Sequence, residues 1–214
     1  MEPNELKSLW QAYDQKIEKS LQLNQHILQE LQSQKAKSKL NRLAIWKIAM
    51  IILGILWVLF LGFLVANSLT YSKIFFVVSG LGIMAVTTYA IVVYIQHVAL
   101  ITQIDNSSTV VEAQQKIAQL KASTLQVTRI LFLQAPFYCT WFLTPQWLMN
   151  DPLAWLIPVP IALAFTGLAV WLYRNISYKN QDKKWFKLLF NSPEWNNVVQ
   201  AEAFLSELEA FKNN

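Results

Sequence analysis

Cysteine occurs once in the 214 residues, at Cys139, so no disulfide can close within the chain and a disulfide-stapled secreted module is excluded. Flanked by Phe137, Tyr138 and Trp141, Cys139 reads as a small apolar packing residue. Glycine occurs only five times and never as the Gly-rich loop that cradles phosphates. HExxH, GxSxG and CxxC are missing, and His26 and His97 lack Cys or carboxylate neighbours at metal-ligand spacing. The chain is therefore expected to be no enzyme and to need no cofactor or metal. Charge is scarce as well: 14% of residues are charged, against about 25% in soluble domains.

That scarcity is concentrated. Residues 48–72, 74–104, 130–150 and 152–173 contain no Asp, Glu, Lys or Arg, in runs of 25, 31, 21 and 22 residues. A bilayer core about 30 Å thick takes ~20 apolar residues as a helix. The expected fold is all-α: a four-helix transmembrane bundle with spans over 43–66, 74–100, 130–149 and 152–173. Between Leu43 and Ala66 fifteen residues are Leu, Ile, Val or Phe, and their insertion free energies sum to about −5 to −9 kcal/mol. Lys47 opposes this by at most ~3.5 kcal/mol, and near the span's end its ammonium is expected to snorkel to the headgroups. The run is too long for a cleaved signal peptide and reads as an uncleaved start.

The later spans carry polar groups and prolines. Thr87 and Thr88 can bond their own backbone or a neighbouring helix. His97 reads as an interfacial polar residue, with proton sensing as its functional alternative. Pro136 is expected to kink the third span, with Gln134 one turn earlier available to another span or a freed carbonyl. Asp151-Pro152 signals the start of the fourth, which Pro158 and Pro160 then interrupt.

Basic residues set the orientation. With both termini in the cytoplasm, only Lys73 of the eighteen Lys and Arg lies outside, leaving seventeen inside. Trp46, Trp147, Trp155, Trp171, Tyr71 and Tyr173 fall near span ends, as an aromatic belt does. The net charge of +5 follows from this distribution, and direct nucleic-acid binding is not expected. The location implied is a membrane crossed several times, with both termini in the cytoplasm.

Three segments remain for the cytoplasm: 1–42, 105–129 and 174–214. On a helix, Leu6, Leu9, Trp10, Tyr13, Ile17, Leu21, Ile27, Leu28 and Leu31 fall within an arc of about 120°. Leu6, Trp10, Tyr13, Ile17, Ser20, Asn24, Ile27 and Leu31 also follow coiled-coil spacing. Two expectations are open for this stripe: it docks a cytoplasmic protein or a second copy, with Leu6, Trp10, Tyr13, Ile17, Ile27 and Leu31 as contacts, or it packs on the chain's own other helices. Lys35, Lys37, Lys39 and Arg42 are expected to meet lipid headgroups, gaining about 1 kcal/mol each from anionic lipid. The turn cluster Asp105-Asn106-Ser107-Ser108 precedes a Thr109/Glu112 capping box. Val110, Ala113, Ile117, Leu120, Thr124 and Val127 then form one helix face. Ser192-Pro193-Glu194 starts another helix, whose face is Val198, Ala201, Phe204, Leu205, Leu208 and Phe211. Three such helices on one side of a membrane suit a small bundle.

The opening Asn4–Asp14 and the stretch Gln34-Lys35-Ala36-Lys37-Ser38-Lys39-Leu40-Asn41 resemble uncharacterised four-span membrane proteins of Bacteroidota, some encoded beside extracytoplasmic-function sigma factors. The resemblance implies a polar N-terminal helix followed by four spans, and a membrane-anchored regulator of sigma-factor type. The function expected is thus a non-enzymatic regulatory or scaffold protein. The alternatives are a small transporter or channel subunit, motivated by the prolines in the spans, and a membrane enzyme built on a polar cluster such as His97 with Gln134.

Overall fold

Residues 4–66 contain no proline, and nothing in them interrupts a helix. In the computed structural model, which describes residues 3–105 and 109–213, they form a single helix, α1 (Pro3–Ala66, 64 residues). At 1.5 Å per residue it is about 96 Å long. The expected N-terminal helix and first span are therefore one rod, with no boundary near residue 42. Asn67 Nδ2 donates to Phe63 O (2.8 Å) where the rod ends. A 3₁₀ turn (Tyr71–Lys73) leads into α2 (Ile74–Asp105), also free of proline.

α1 and α2 form an antiparallel hairpin that two glycines draw tight. A Cβ on Gly80 would lie 2.6 Å from Val65 Cγ2, and one on Gly54 would lie 3.0 Å from Ile91 Cγ1. Two stretches, Tyr13–Ala66 and Tyr71–Ile104, are helices long and apolar enough to cross a membrane.

One arm of the capping box forms: Thr109 accepts from Glu112 N (3.2 Å) and opens α3 (Val110–Phe132), while the Glu112 carboxylate pairs with Lys116. Asn106, Ser107 and Ser108 of the turn cluster lie outside the described residues. Beyond α3 the third apolar run is not one kinked helix. It stops at Leu133–Gln134 and continues as α4 (Ala135–Thr140) and α5 (Pro145–Asn150). The fourth run is likewise divided, into α6 (Pro152–Leu156) and α7 (Pro158–Asn175). Proline explains each break, because it lacks an N–H and its ring clashes with the carbonyl one turn back. It suits only a first turn. Pro136, Pro145, Pro152 and Pro158 all sit in such first turns. Two of these starts are also capped, by Thr144 accepting from Trp147 N and Asp151 from Leu153 N.

After a 3₁₀ turn (Tyr178–Asn180) come α8 (Lys184–Leu189) and α9 (Pro193–Asn213). α9 runs antiparallel to the middle of α1. Between them and α2 and α3 lies the main core, where Leu43, Ile117, Leu120, Val198 and Ala201 are fully buried. The Leu, Ile and Val side chains among them contribute roughly 1.5–3 kcal/mol each on burial. A second core is aromatic: Phe186 stacks on Phe190 (4.2 Å between centroids), and Trp195 meets Phe190 edge-on at 5.1 Å. Arg129 ties this core to the end of α7 by donating from Nε to Ile176 O.

The apolar half of α1 is different. Ile45, Ile52, Leu53, Leu56, Leu59, Phe60 and Phe63 all point outward and are exposed. A continuous apolar surface of this kind marks contact with something other than water.

Candidate functional site

Two features stand out: an exposed stripe on the polar half of α1, and a buried polar junction where the four-helix core meets the apolar hairpin.

Trp10, Tyr13, Ile17, Ile27 and Leu31 are 67, 63, 56, 44 and 46% exposed. Leu21, Leu23 and Leu28 beside them are exposed too. The side chain of Leu6 lies outside those described. Farther along α1, Ala36, Leu40, Leu43 and Lys47 are buried against the core. At 100° per residue, that buried face lies roughly 140° around the helix from the stripe. Among the described residues, no side chain of another helix covers the stripe from Trp10 to Leu31. Among the described side chains, α9 meets α1 beyond it: Gln32 Nε2 donates to Glu207 (2.7 Å), and Lys35 Nζ lies 5.8 Å above the Phe204 ring.

The four basic residues expected at the headgroups divide. Lys37 and Arg42 line an open groove between α1 and the start of α9. Lys35 is directed to Phe204 instead, and Lys39 is half-buried.

Lys47 does not snorkel. It has no exposed surface, forms an ion pair with Glu194 of α9, and places Nζ 3.7 Å from the centroid of Tyr94 on α2. The physical reason is proximity: a protein carboxylate and an aromatic face lie nearer than any headgroup, and they compensate the desolvated ammonium. Sequence reasoning missed Glu194 as the partner because it lies 147 positions away. The only hint was a lone cation at the edge of an apolar run.

His97, too, is turned into the protein interior. It is fully buried, its ring 5.9 Å from that of Tyr94, and its Nε2 shares a 2.8 Å hydrogen bond with Ser123 Oγ of α3. Its Nδ1 is buried without a partner among the described residues. The junction Lys47, Glu194, Tyr94, His97 and Ser123 thus joins α1, α2, α3 and α9.

Within the apolar part, Gln134 Nε2 donates to Thr87 Oγ1 (3.1 Å), and Thr87 donates in turn to Ile83 O (2.8 Å). Ser79 and Thr140 pair at 3.0 Å. His97 and Gln134 have separate partners and form no common cluster. A cavity of about 590 Å³ opens beside Gln134, between Gly54, Trp57, Phe60, Thr87 and Tyr94, and its walls are chiefly apolar. Cys139 is a free, half-buried thiol. No three His, Cys, Asp or Glu side chains gather as a metal site among the described residues.

No protein family, curated protein or solved structure matches the chain.

Proposed function

We propose that the protein is a non-enzymatic integral membrane scaffold of the regulatory kind, which docks an amphipathic helix of a cytoplasmic protein along residues 6–31 of α1. The observation that carries this reading is the exposed stripe from Trp10 to Leu31, which faces away from every core of the chain. Helix-on-helix recognition uses anchors at this spacing. Asn24 sits in the seam, where a polar residue fixes register at some cost in stability.

The membrane part of the proposal is a bundle of four spans with both termini in the cytoplasm of a bacterial inner membrane. Two spans are the uninterrupted arms of the α1–α2 hairpin. The other two are broken: the end of α3 with α4 and α5, and α6 with α7. Support comes from the outward apolar face of α1, from exposed Trp46, Trp155, Trp171, Tyr71 and Tyr173 near the run ends, and from the topology that keeps seventeen of the eighteen Lys and Arg residues on one side. The resemblance of the opening residues to Bacteroidota proteins encoded beside sigma factors makes a sigma-factor regulator the form of scaffold proposed.

The test is site-specific photo-crosslinking from position 17 in living cells, with Trp10→Asp as the control at a separate anchor. We expect one dominant adduct with a soluble protein, lost in Trp10→Asp while the protein stays in the membrane fraction. Adducts with a second copy alone, or adducts indifferent to Trp10→Asp, would overturn the reading.

A second reading, a small transporter or channel subunit, draws on the breaks at Leu133–Gln134 and Ile157. Broken spans can frame a substrate site. Here the polar groups nearest the first break, Gln134 and Thr87, are already bonded to each other. Solute flux into proteoliposomes decides between the two readings.

A further inference from the structure

We propose that α8 and the basic segment leading into it form a membrane-surface anchor, with Leu188 seated in the headgroup layer and the cations around it on anionic phospholipid. The inference rests on the membrane reading above and is independent of what the stripe docks.

The charge of this segment is one-sided. Residues 174–187 contain Arg174, Lys179, Lys183, Lys184 and Lys187 but a single carboxylate, Asp182. All five cations are exposed, and none has an ion-pair partner among the described residues. Two carboxylates of α9, Glu194 and Glu202, are already paired with Lys47 and Lys121. The patch therefore attracts an anionic surface.

Two packing facts select a membrane as that surface. The first is depth. The Trp185 ring lies 5.1 Å from that of Trp171, which belongs to the charge-free run 152–173. α8 has thus folded back against the last turn of α7 instead of leading away from it. Leu188 stands three residues beyond Trp185, about 4.5 Å along the helix. The headgroup layer on each side of a bilayer is roughly 5–8 Å thick. α8 therefore lies at headgroup depth.

The second is Leu188 itself, which is 82% exposed. Phe186 is buried against Phe190 and Trp195, and this fixes how α8 is turned. At 100° per residue Leu188 lies about 160° around the helix from Phe186, so it points away from the aromatic core. Lys184 is its neighbour one turn back. An outward leucine beside lysines, on a helix at headgroup depth, seats as interfacial helices do: the apolar chain enters the acyl boundary and the lysines meet phosphates. A soluble polyanion would engage the cations and leave Leu188 in water.

The test uses the full chain in a Cys139→Ser background, reconstituted into vesicles of phosphatidylcholine alone or mixed with phosphatidylglycerol. A nitroxide label is attached in turn at three positions. These are Leu188→Cys, Leu56→Cys on the outward apolar face of α1, and Gln200→Cys, exposed on α9 where that helix leads away from the span. Collision with oxygen, which concentrates in lipid, is compared with collision with an uncharged nickel chelate, which stays in water. In the mixed vesicles we expect the oxygen-to-nickel ratio at 188 to exceed that at 200 at least threefold. Each cation at an anionic surface contributes about fivefold in affinity. Lys184→Gln with Lys187→Gln should therefore lower the ratio at 188 at least twofold. Lys16→Gln with Lys19→Gln, which removes the same charge far along α1, should leave it unchanged. All four lysines are exposed, so both double variants keep the fold, which circular dichroism checks. If 56 reports lipid and 188 matches 200, the cations serve a soluble polyanion and the anchor is refuted while the membrane reading stands. If 56 reports water as well, both fall. A ratio at 188 that is the same with and without phosphatidylglycerol, or that falls equally in the two double variants, refutes the role given to the cations.

Discussion

Replacing Glu194 by leucine removes the only carboxylate paired with Lys47 among the described residues and leaves the ammonium where it has no contact with solvent. The Tyr94 ring at 3.7 Å remains, but a cation–π contact is worth only about 2 kcal/mol even when desolvated. Breaking a buried pair from one side costs about 3–5 kcal/mol, because the surviving charge is uncompensated. Replacing both partners with apolar residues of similar volume removes the charge as well as the pair, and is neutral or stabilising by up to ~4 kcal/mol. Glu194→Leu should therefore be strongly destabilising, and Lys47→Met with Glu194→Leu should recover most or all of the loss. The readout is the midpoint of unfolding in mixed micelles of rising SDS fraction, followed by circular dichroism. The reasoning is refuted if the double variant is as unstable as Glu194→Leu, or if Glu194→Leu unfolds with the parent protein.

Two further substitutions test the packing. Gly80→Ala would bring a methyl within 2.6 Å of Val65 Cγ2, so it should cost about 1–3 kcal/mol and be largely relieved by adding Val65→Ala; an equal midpoint in the single and double variants on the same titration would contradict the tight α1–α2 approach. Phe186→Ala opens a cavity at the centre of the aromatic core, where Phe190 and Trp195 both contact the ring, and should cost about 3–5 kcal/mol. Its near-ultraviolet circular dichroism should fall with it, and an unchanged spectrum would contradict the stacking described.

Much of the helical content was legible because its signals are local. Thr109 with Glu112, Asp151 with Pro152, and Ser192 with Pro193 each mark a helix start, and all three caps form. The faces of Ile117 and Leu120 on α3 and of Val198 and Ala201 on α9 follow from the 3.6-residue period, and these residues are buried. Proline was read too weakly. A single Pro136 can kink a span, but the series Pro136, Pro145, Pro152 and Pro158 supplies repeated first-turn signals, and the chain stops and restarts at each. What local patterns could not give was the long-range pairing. Lys47 looked like a headgroup contact and His97 like an interfacial group, because a sequence shows their apolar neighbours and not the carboxylate of α9 or the hydroxyl of α3. For the same reason the sequence did not show that α1 meets the bundle through the face of Leu40 and Leu43.

The most direct test of the account is the sidedness of the chain. In a Cys139→Ser background, single cysteines at Ser68, Asn150 and Asn180 are challenged in spheroplasts with a maleimide that cannot cross membranes. Four spans with both ends inside predict labelling at 68 and 150 in intact spheroplasts, and at 180 only after lysis. Labelling at 180 before lysis, or at all three positions alike, would contradict it.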